Sequence, residues 1–275
     1  YLGFHSYSIS YQNDLNENFL TTFSYQGLFM NPEVKVWASL DQEKYQYSLS
    51  LSYPISIPDR GQLNFQTGYE RVYRDDSLYP GFWKGFFLSC DLSFSGGNDS
   101  WITDQSFNFT YRNGWDDFYP VQKSIFSWEV QSFRAGGTDH SWYAQFALGY
   151  STLPQDFAIG GRDTFWSIAG YPEEILRGKI AGRFELSYNF PVLILDQPLL
   201  SMGLVKAVYG KISWVEAGAG ENLYRLQWIG SIKGELCLHS FLADEVPIDL
   251  IVGYAHPLEP NRFGEWYLTL STNFR

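Results

Sequence analysis

Read from its C-terminus backwards, the chain is a succession of roughly ten-residue segments in which every second side chain is apolar or aromatic. In the last one Trp266, Leu268, Leu270, Thr272 and Phe274 fall on one face, and Tyr267, Thr269, Ser271 and Asn273 on the other. Side chains of a strand point alternately to opposite faces, so this period describes a strand lying between two different solvents. The same phase recurs where Phe107, Phe109 and Tyr111 oppose Asn108, Thr110 and Arg112, and where Phe184, Leu186 and Tyr188 oppose Arg183, Glu185 and Ser187. The pattern predicts strands over 1–11, 19–29, 33–40, 45–54, 63–72, 83–94, 104–115, 122–133, 141–151, 179–190, 203–217, 226–239, 247–256 and 265–274. That is about fourteen, an even number, as single-chain bacterial barrels have.

The polar faces are too extensive for a water-free core, so the expectation is an all-β fold, a transmembrane antiparallel β-barrel with a hydrated lumen. Turn residues such as Asn31-Pro32, Asp59-Arg60-Gly61 and Ser95-Gly96-Gly97-Asn98 separate the segments. No amphipathic helix, internal repeat or linker interrupts them, and residues 1–275 read as one domain.

Composition sharpens this. The 275 residues are 45% hydrophobic and 19% aromatic, yet mean hydropathy is -0.23, so apolar and polar residues alternate finely instead of forming blocks. No run approaches the roughly 18 apolar residues of a membrane helix. A net charge of -11 argues against a nucleic-acid partner, whose phosphates need cations to neutralise them. Tyr1 already lies in an alternating segment with no apolar leader before it, so the chain is read as a mature or truncated piece of a longer protein. Cys90 is in phase with Phe86 and Leu88, and Cys237 with Glu235 and His239, which puts the two thiols on opposite faces and argues against a disulfide.

If the last strand ends on the periplasmic side, the connections near 54–62, 95–103, 134–140 and 191–202 face the periplasm. Those near 73–82, 116–121, 152–178 and 257–264 face outside. The longest connection thus falls outside, as barrels prefer. It contains Phe157, Ile159, Phe165, Trp166, Ile168 and Tyr171 together with Gly160, Gly161 and Gly170. Apolar rings on an outer loop need burial, and the readings are a loop folded back into the lumen or a surface cap that meets a partner.

These residues carry a family resemblance. Phe157-Ala158-Ile159-Gly160-Gly161, then Ile168-Ala169-Gly170-Tyr171, then Phe184 to Pro191 resemble the C-terminal barrel of the Omp85 superfamily of outer-membrane assembly and translocation proteins. Trp214-Val215-Glu216-Ala217-Gly218 and Asp249 to Leu258 are similar to later segments of that barrel. The likeness spans about 155–275. It implies a barrel in the bacterial outer membrane, with lipids, polypeptide substrates and periplasmic or lipoprotein partners around it; since barrels of the family have sixteen strands, either two lie before Tyr1, the preferred reading, or this barrel is smaller. The implied function is insertion or translocation of polypeptides; the alternatives are a passive anchor for another domain and a solute porin.

In the family the loop carries an arginine that contacts an acid on the lumen wall; here that position is Ala169, and Glu216 is read as the lumen acid, with Arg162 or Arg177 as substitute partners. Trp266, Leu268, Leu270 and Phe274 belong to the expected closing strand. Four histidines, His5, His140, His239 and His256, have no metal-ligand spacing, and Asp139-His140-Ser141 is contiguous and cannot form a triad. No enzymatic activity, cofactor or metal is expected.

Overall fold

The computed structural model describes the chain except residues 1–5, 14–17, 27–32, 42–43, 58–60, 75–80, 98–100, 117–118, 135–139, 162–164, 200–202, 243–245 and 273–275. It is all-β, and among the described residues there is no α-helix. One large antiparallel sheet is built of strands that each pair with their neighbour in sequence. Its main body comprises eleven strands. They are β4 (Lys44–Ile57), β5 (Gly61–Arg74), β6 (Gly81–Gly97), β7 (Trp101–Asp116), β8 (Pro120–Arg134), β9 (Ser141–Ser151), β12 (Ile180–Leu199), β13 (Gly203–Gly220), β14 (Gln227–Leu242), β15 (Val246–Pro257) and β16 (Glu265–Thr272). Strands β1 (Ser6–Asn13), β2 (Asn18–Gln26) and β3 (Glu33–Asp41) extend it beyond β4. Between β9 and β12 a small hairpin, β10 (Phe157–Ile159) with β11 (Leu176–Gly178), forms a separate two-stranded sheet. Among the described residues no ladder joins β1 to β16.

The sheet inverts the burial of a water-soluble domain. Leu49, Phe86, Leu148, Ile212, Ile232 and Leu268 are exposed on one face, while Ser50, Ser127, Gln145, Ser187, Ser213 and Ser231 are buried on the other. Strand alternation makes both facts one: the neighbours of an exposed apolar residue are turned to the other face, as Ser50 is beside Leu49, Ser213 beside Ile212 and Ser231 beside Ile232. Aromatics pair along the outer face, as in Phe184 with Trp214 at 5.5 Å between centroids and Tyr254 with Trp266 at 4.9 Å.

From β4 onward the predicted segments coincide with strands, and the main difference is length. The connection expected over 191–202 is instead strand: β12 runs to Leu199 and stays paired with β13, with register shifts after Pro191 and after Ile194. Proline lacks the amide hydrogen a ladder needs, but Pro191 lies past the last β9 pairing, at Asn189, and beside a bulge, where it is tolerated.

Candidate functional site: a loop seated on the inner wall

Residues 152–179 leave the sheet at Ser151 and return at Ile180, and the neck is closed by the Ser151 amide donating to the Lys179 carbonyl at 2.8 Å. The first residue is stitched to β8: the Thr152 amide donates to the Gln122 carbonyl and the Gln122 amide to Thr152 Oγ1, both at 2.9 Å. β10 and β11 pair through Phe157 with Gly178, Ala158 with Arg177 and Ile159 with Leu176. Beyond β10 the chain turns sharply at Gly160, whose φ of 122° and whose approach to the Pro172 carbonyl exclude any side chain. The Gly161 amide then donates to the Tyr171 carbonyl at 3.2 Å, which folds the motif region 161–171 back on itself.

Folding back brings the apolar residues of the loop to one side. Phe157, Ile159, Trp166, Ile168 and Tyr171 are buried in a single cluster with Ala147 of β9, Ala181 of β12, Val215, Ala217 and Ala219 of β13 and Ile229 of β14. All these wall residues are on the face opposite the exposed apolar one, so the loop packs on that face of the sheet. The wall is small-residued where the loop's rings are large. At Gly149 of β9 a Cβ would lie 2.6 Å from the Phe157 ring, which sets edge-on against Trp166 at 5.3 Å. Tyr171 ends the seat: its hydroxyl donates to the Gly230 carbonyl at 2.9 Å, and the Arg262 guanidinium stacks 5.1 Å from its ring centre. Burial pushes the Tyr171 phenol above the usual tyrosine range, and the charge of Glu259 adds to that.

The remaining inner wall is polar and tightly paired. Arg183 contacts Glu185 at 2.5 Å and bonds Gln145, which in turn donates to Glu129 at 2.7 Å. Ser187 donates to Glu185 at 3.0 Å and bonds Ser213 at 2.9 Å, while Tyr267 donates to Glu235 at 2.5 Å. His239 and Asp249 face each other across β14 and β15 at 2.5 Å. Between the loop and β6 to β8 remains a cavity of about 620 Å³, bounded by Asn108, Arg112, Glu129, Phe165 and Trp166 among others. Next to it, sharing Ser93, Ser106 and Glu129, is one of about 700 Å³. Among the described residues no group of three or more metal-ligating side chains occurs.

The motif residues Gly160, Gly161, Ile168, Ala169, Gly170 and Tyr171 thus come together in the seated loop. Glu216 does not join them. It lies two residues from Trp214 and four from Ile212, both exposed on the outer face, whereas the loop packs on Val215 and Ala217 of the inner one. The expected lumen position of Glu216 is therefore corrected: strand phase ties it to Trp214. Arg177 pairs with Glu174 inside the loop, and Arg162 and Phe274 lie outside the described residues. Trp266, Leu268 and Leu270 form the exposed outer face of β16. Sequence reasoning missed the contact between Lys123 of β8 and Asp156 of the loop, at 3.1 Å. It also missed the Arg183 and Glu185 pair, which a two-residue spacing on one face could have revealed.

Scanned against protein-family models the chain matches none, and no curated protein matches it either.

Proposed function

We propose that this chain is the membrane-embedded β-barrel of an Omp85-like protein, helping polypeptides insert into or cross the bacterial outer membrane. The observation that carries the reading is the loop 152–178, with buried aromatics, lying on the polar face of a sheet whose other face is apolar and exposed. A membrane barrel explains both faces at once, with lipid outside and a loop-filled lumen inside. Strand length fits too. The 18 residues of β13 reach ~60 Å at about 3.3 Å each, while about 9–11 tilted residues cross the hydrocarbon layer. In this reading the strands described here are the visible part of a barrel of sixteen, and β16 forms one side of the seam where it closes. Among the described residues β16 pairs only with β15, and its other edge is where a substrate strand would pair through backbone hydrogen bonds.

A passive anchor is the second reading, and Ala169 together with the outward Glu216 favours it. The loop is held here by apolar packing and by contacts other than the arginine-to-acid bond of the resemblance. Depleting the protein from its host and quantifying folded outer-membrane barrels separates the two. Falling levels of several barrels support polypeptide handling; unchanged levels of all of them overturn it in favour of the anchor.

A further inference from the structure

We infer that the turn between β15 and β16, residues 258–264, is a latch on the loop: Arg262 positions Tyr171 on the inner face, so that displacement of β16 and release of the loop are a single event. This rests on the reading of β16 as one side of the seam, and it names what a substrate strand paired there would set free.

The junction is the carbonyl of Gly230 in β14. It accepts from the Leu258 amide at 2.7 Å, where the turn leaves β15, and from the Tyr171 hydroxyl at 2.9 Å, where the loop ends its seat. A carbonyl oxygen has two lone pairs, so these donors fill it, and loop, wall and turn share one atom. The turn then doubles back over the loop. Asn261 takes a left-handed φ of 68°, which asparagine tolerates better than most side chains. The next residue, Arg262, sets its guanidinium carbon 5.1 Å from the centre of the Tyr171 ring. Glu259, at the start of the turn, accepts from Arg262 Nε at 2.6 Å. With these two side chains 37% and 39% exposed, their pairing adds little stability by itself; its consequence is to orient the cation. The ring that the cation meets is only 4% exposed, and a guanidinium at this distance from a buried ring is attracted by the ring's quadrupole. The backbone beside Tyr171 is close as well: at Gly170, whose φ is 88°, a Cβ would lie 3.1 Å from Cδ of Pro257, the last residue of β15. A β16 drawn aside by a partner strand would carry Arg262 off the ring and leave the Tyr171 side chain with the Gly230 bond. Such coupling is reciprocal, so whatever the turn adds to the seating of the loop, the loop adds to the seating of the turn.

The test is hydrogen exchange of the folded full chain in detergent micelles, read by mass spectrometry, for the parent, Arg262→Gln, Arg262→Lys and Tyr171→Leu. Arg262→Gln removes the charge and keeps much of the bulk, and is expected to speed exchange of the Gly161 amide and its loop neighbours about three- to ten-fold. Arg262→Lys keeps a cation over the ring and is expected to exchange like the parent, a rescue that packing alone would not give. Tyr171→Leu is expected to speed exchange in β16 by a similar factor while β6 and β7 keep the parent rate. Unchanged loop exchange in Arg262→Gln, a loop as fast in Arg262→Lys as in Arg262→Gln, or an unchanged β16 in Tyr171→Leu each overturns the latch. Equal speeding throughout the sheet is general loosening and overturns it too. Should Tyr171→Leu not fold, judged by the heat-dependent gel shift of a folded barrel, the two Arg262 variants decide. Conductance in planar bilayers of a variant lacking the loop tests the underlying reading separately. A deletion that opens the barrel supports a loop-filled lumen; one that changes nothing overturns the lumen reading, while the exchange rates still decide whether loop and β16 move together.

Discussion

Gly149 lies in β9 under the ring of Phe157, and replacing it by alanine should reveal the seated loop by the sign of its effect. In a strand with free space above it, glycine to alanine stabilises by about 0.5–1 kcal/mol, because glycine loses more freedom on folding. Here the new methyl would lie 2.6 Å from both Cε1 and Cζ of Phe157 and 3.1 Å from Cζ2 of Trp166. The Phe157 ring is 1% exposed, pressed between Trp166 and the Lys123 ammonium, and cannot swing aside freely. Overpacking of this kind costs about 1–3 kcal/mol, which exceeds the strand gain. Phe157→Ala alone should cost about 3–5 kcal/mol by leaving a cavity. Combined, the two should cost less than their sum by about 1–3 kcal/mol, since the alanine methyl then fills space the ring has vacated. Urea unfolding of the folded protein in detergent micelles, run on the parent, both single variants and the double, measures all four corners. A stabilising Gly149→Ala, or strictly additive costs, would refute the seating of the loop on β9.

Further expectations concern single contacts. Tyr171→Phe removes the bond to the Gly230 carbonyl, which keeps a second donor in the Leu258 amide at 2.7 Å. The loss in urea unfolding should therefore be about 0.5–1.5 kcal/mol, and a loss several times larger would mean the hydroxyl has another task. Because burial raises the Tyr171 phenol, its contribution is complete below the unfolded tyrosine value of about 10 and fades as pH rises through the folded value. The urea midpoint of the parent should then fall more steeply above pH 10 than that of Tyr171→Phe, and parallel curves would contradict this. Leu268→Arg, on the outer face of β16, should cost about 2–4 kcal/mol in lipid vesicles if the position lies near the bilayer centre, and almost nothing if that face meets water. Glu216→Gln should leave conductance at the parent level, whereas opening like that of the loop deletion would return Glu216 to the lumen.

The two-faced sheet was legible because its signal is local: side-chain type alternates with the same period as side-chain direction, and no long-range knowledge is needed. Burial of the loop was legible from its content, since Phe157, Ile159 and Trp166 on an outer connection require cover. The phase of Glu216 was equally available, two residues from Trp214, but transferring a motif position overrode it. Lys123 and Asp156 gave no signal, because their meeting depends on the path the chain takes after it leaves β9 at Ser151. The length of β12 was hidden by Pro191, normally a strand breaker, which a bulge and an unpaired edge accommodate here.

The most direct test of a two-solvent sheet with the loop seated on one face is a spin-label scan of β13 in lipid vesicles, one cysteine at a time from 212 to 217, with Cys90 and Cys237 replaced by serine. Oxygen, which partitions into lipid, should relax labels at Ile212 and Trp214, while labels at Ser213 and Val215, beneath the loop side, should be shielded from both oxygen and a water-soluble nickel reagent. Loss of the two-residue period, or ready access of the nickel reagent to 212 and 214, would contradict the account.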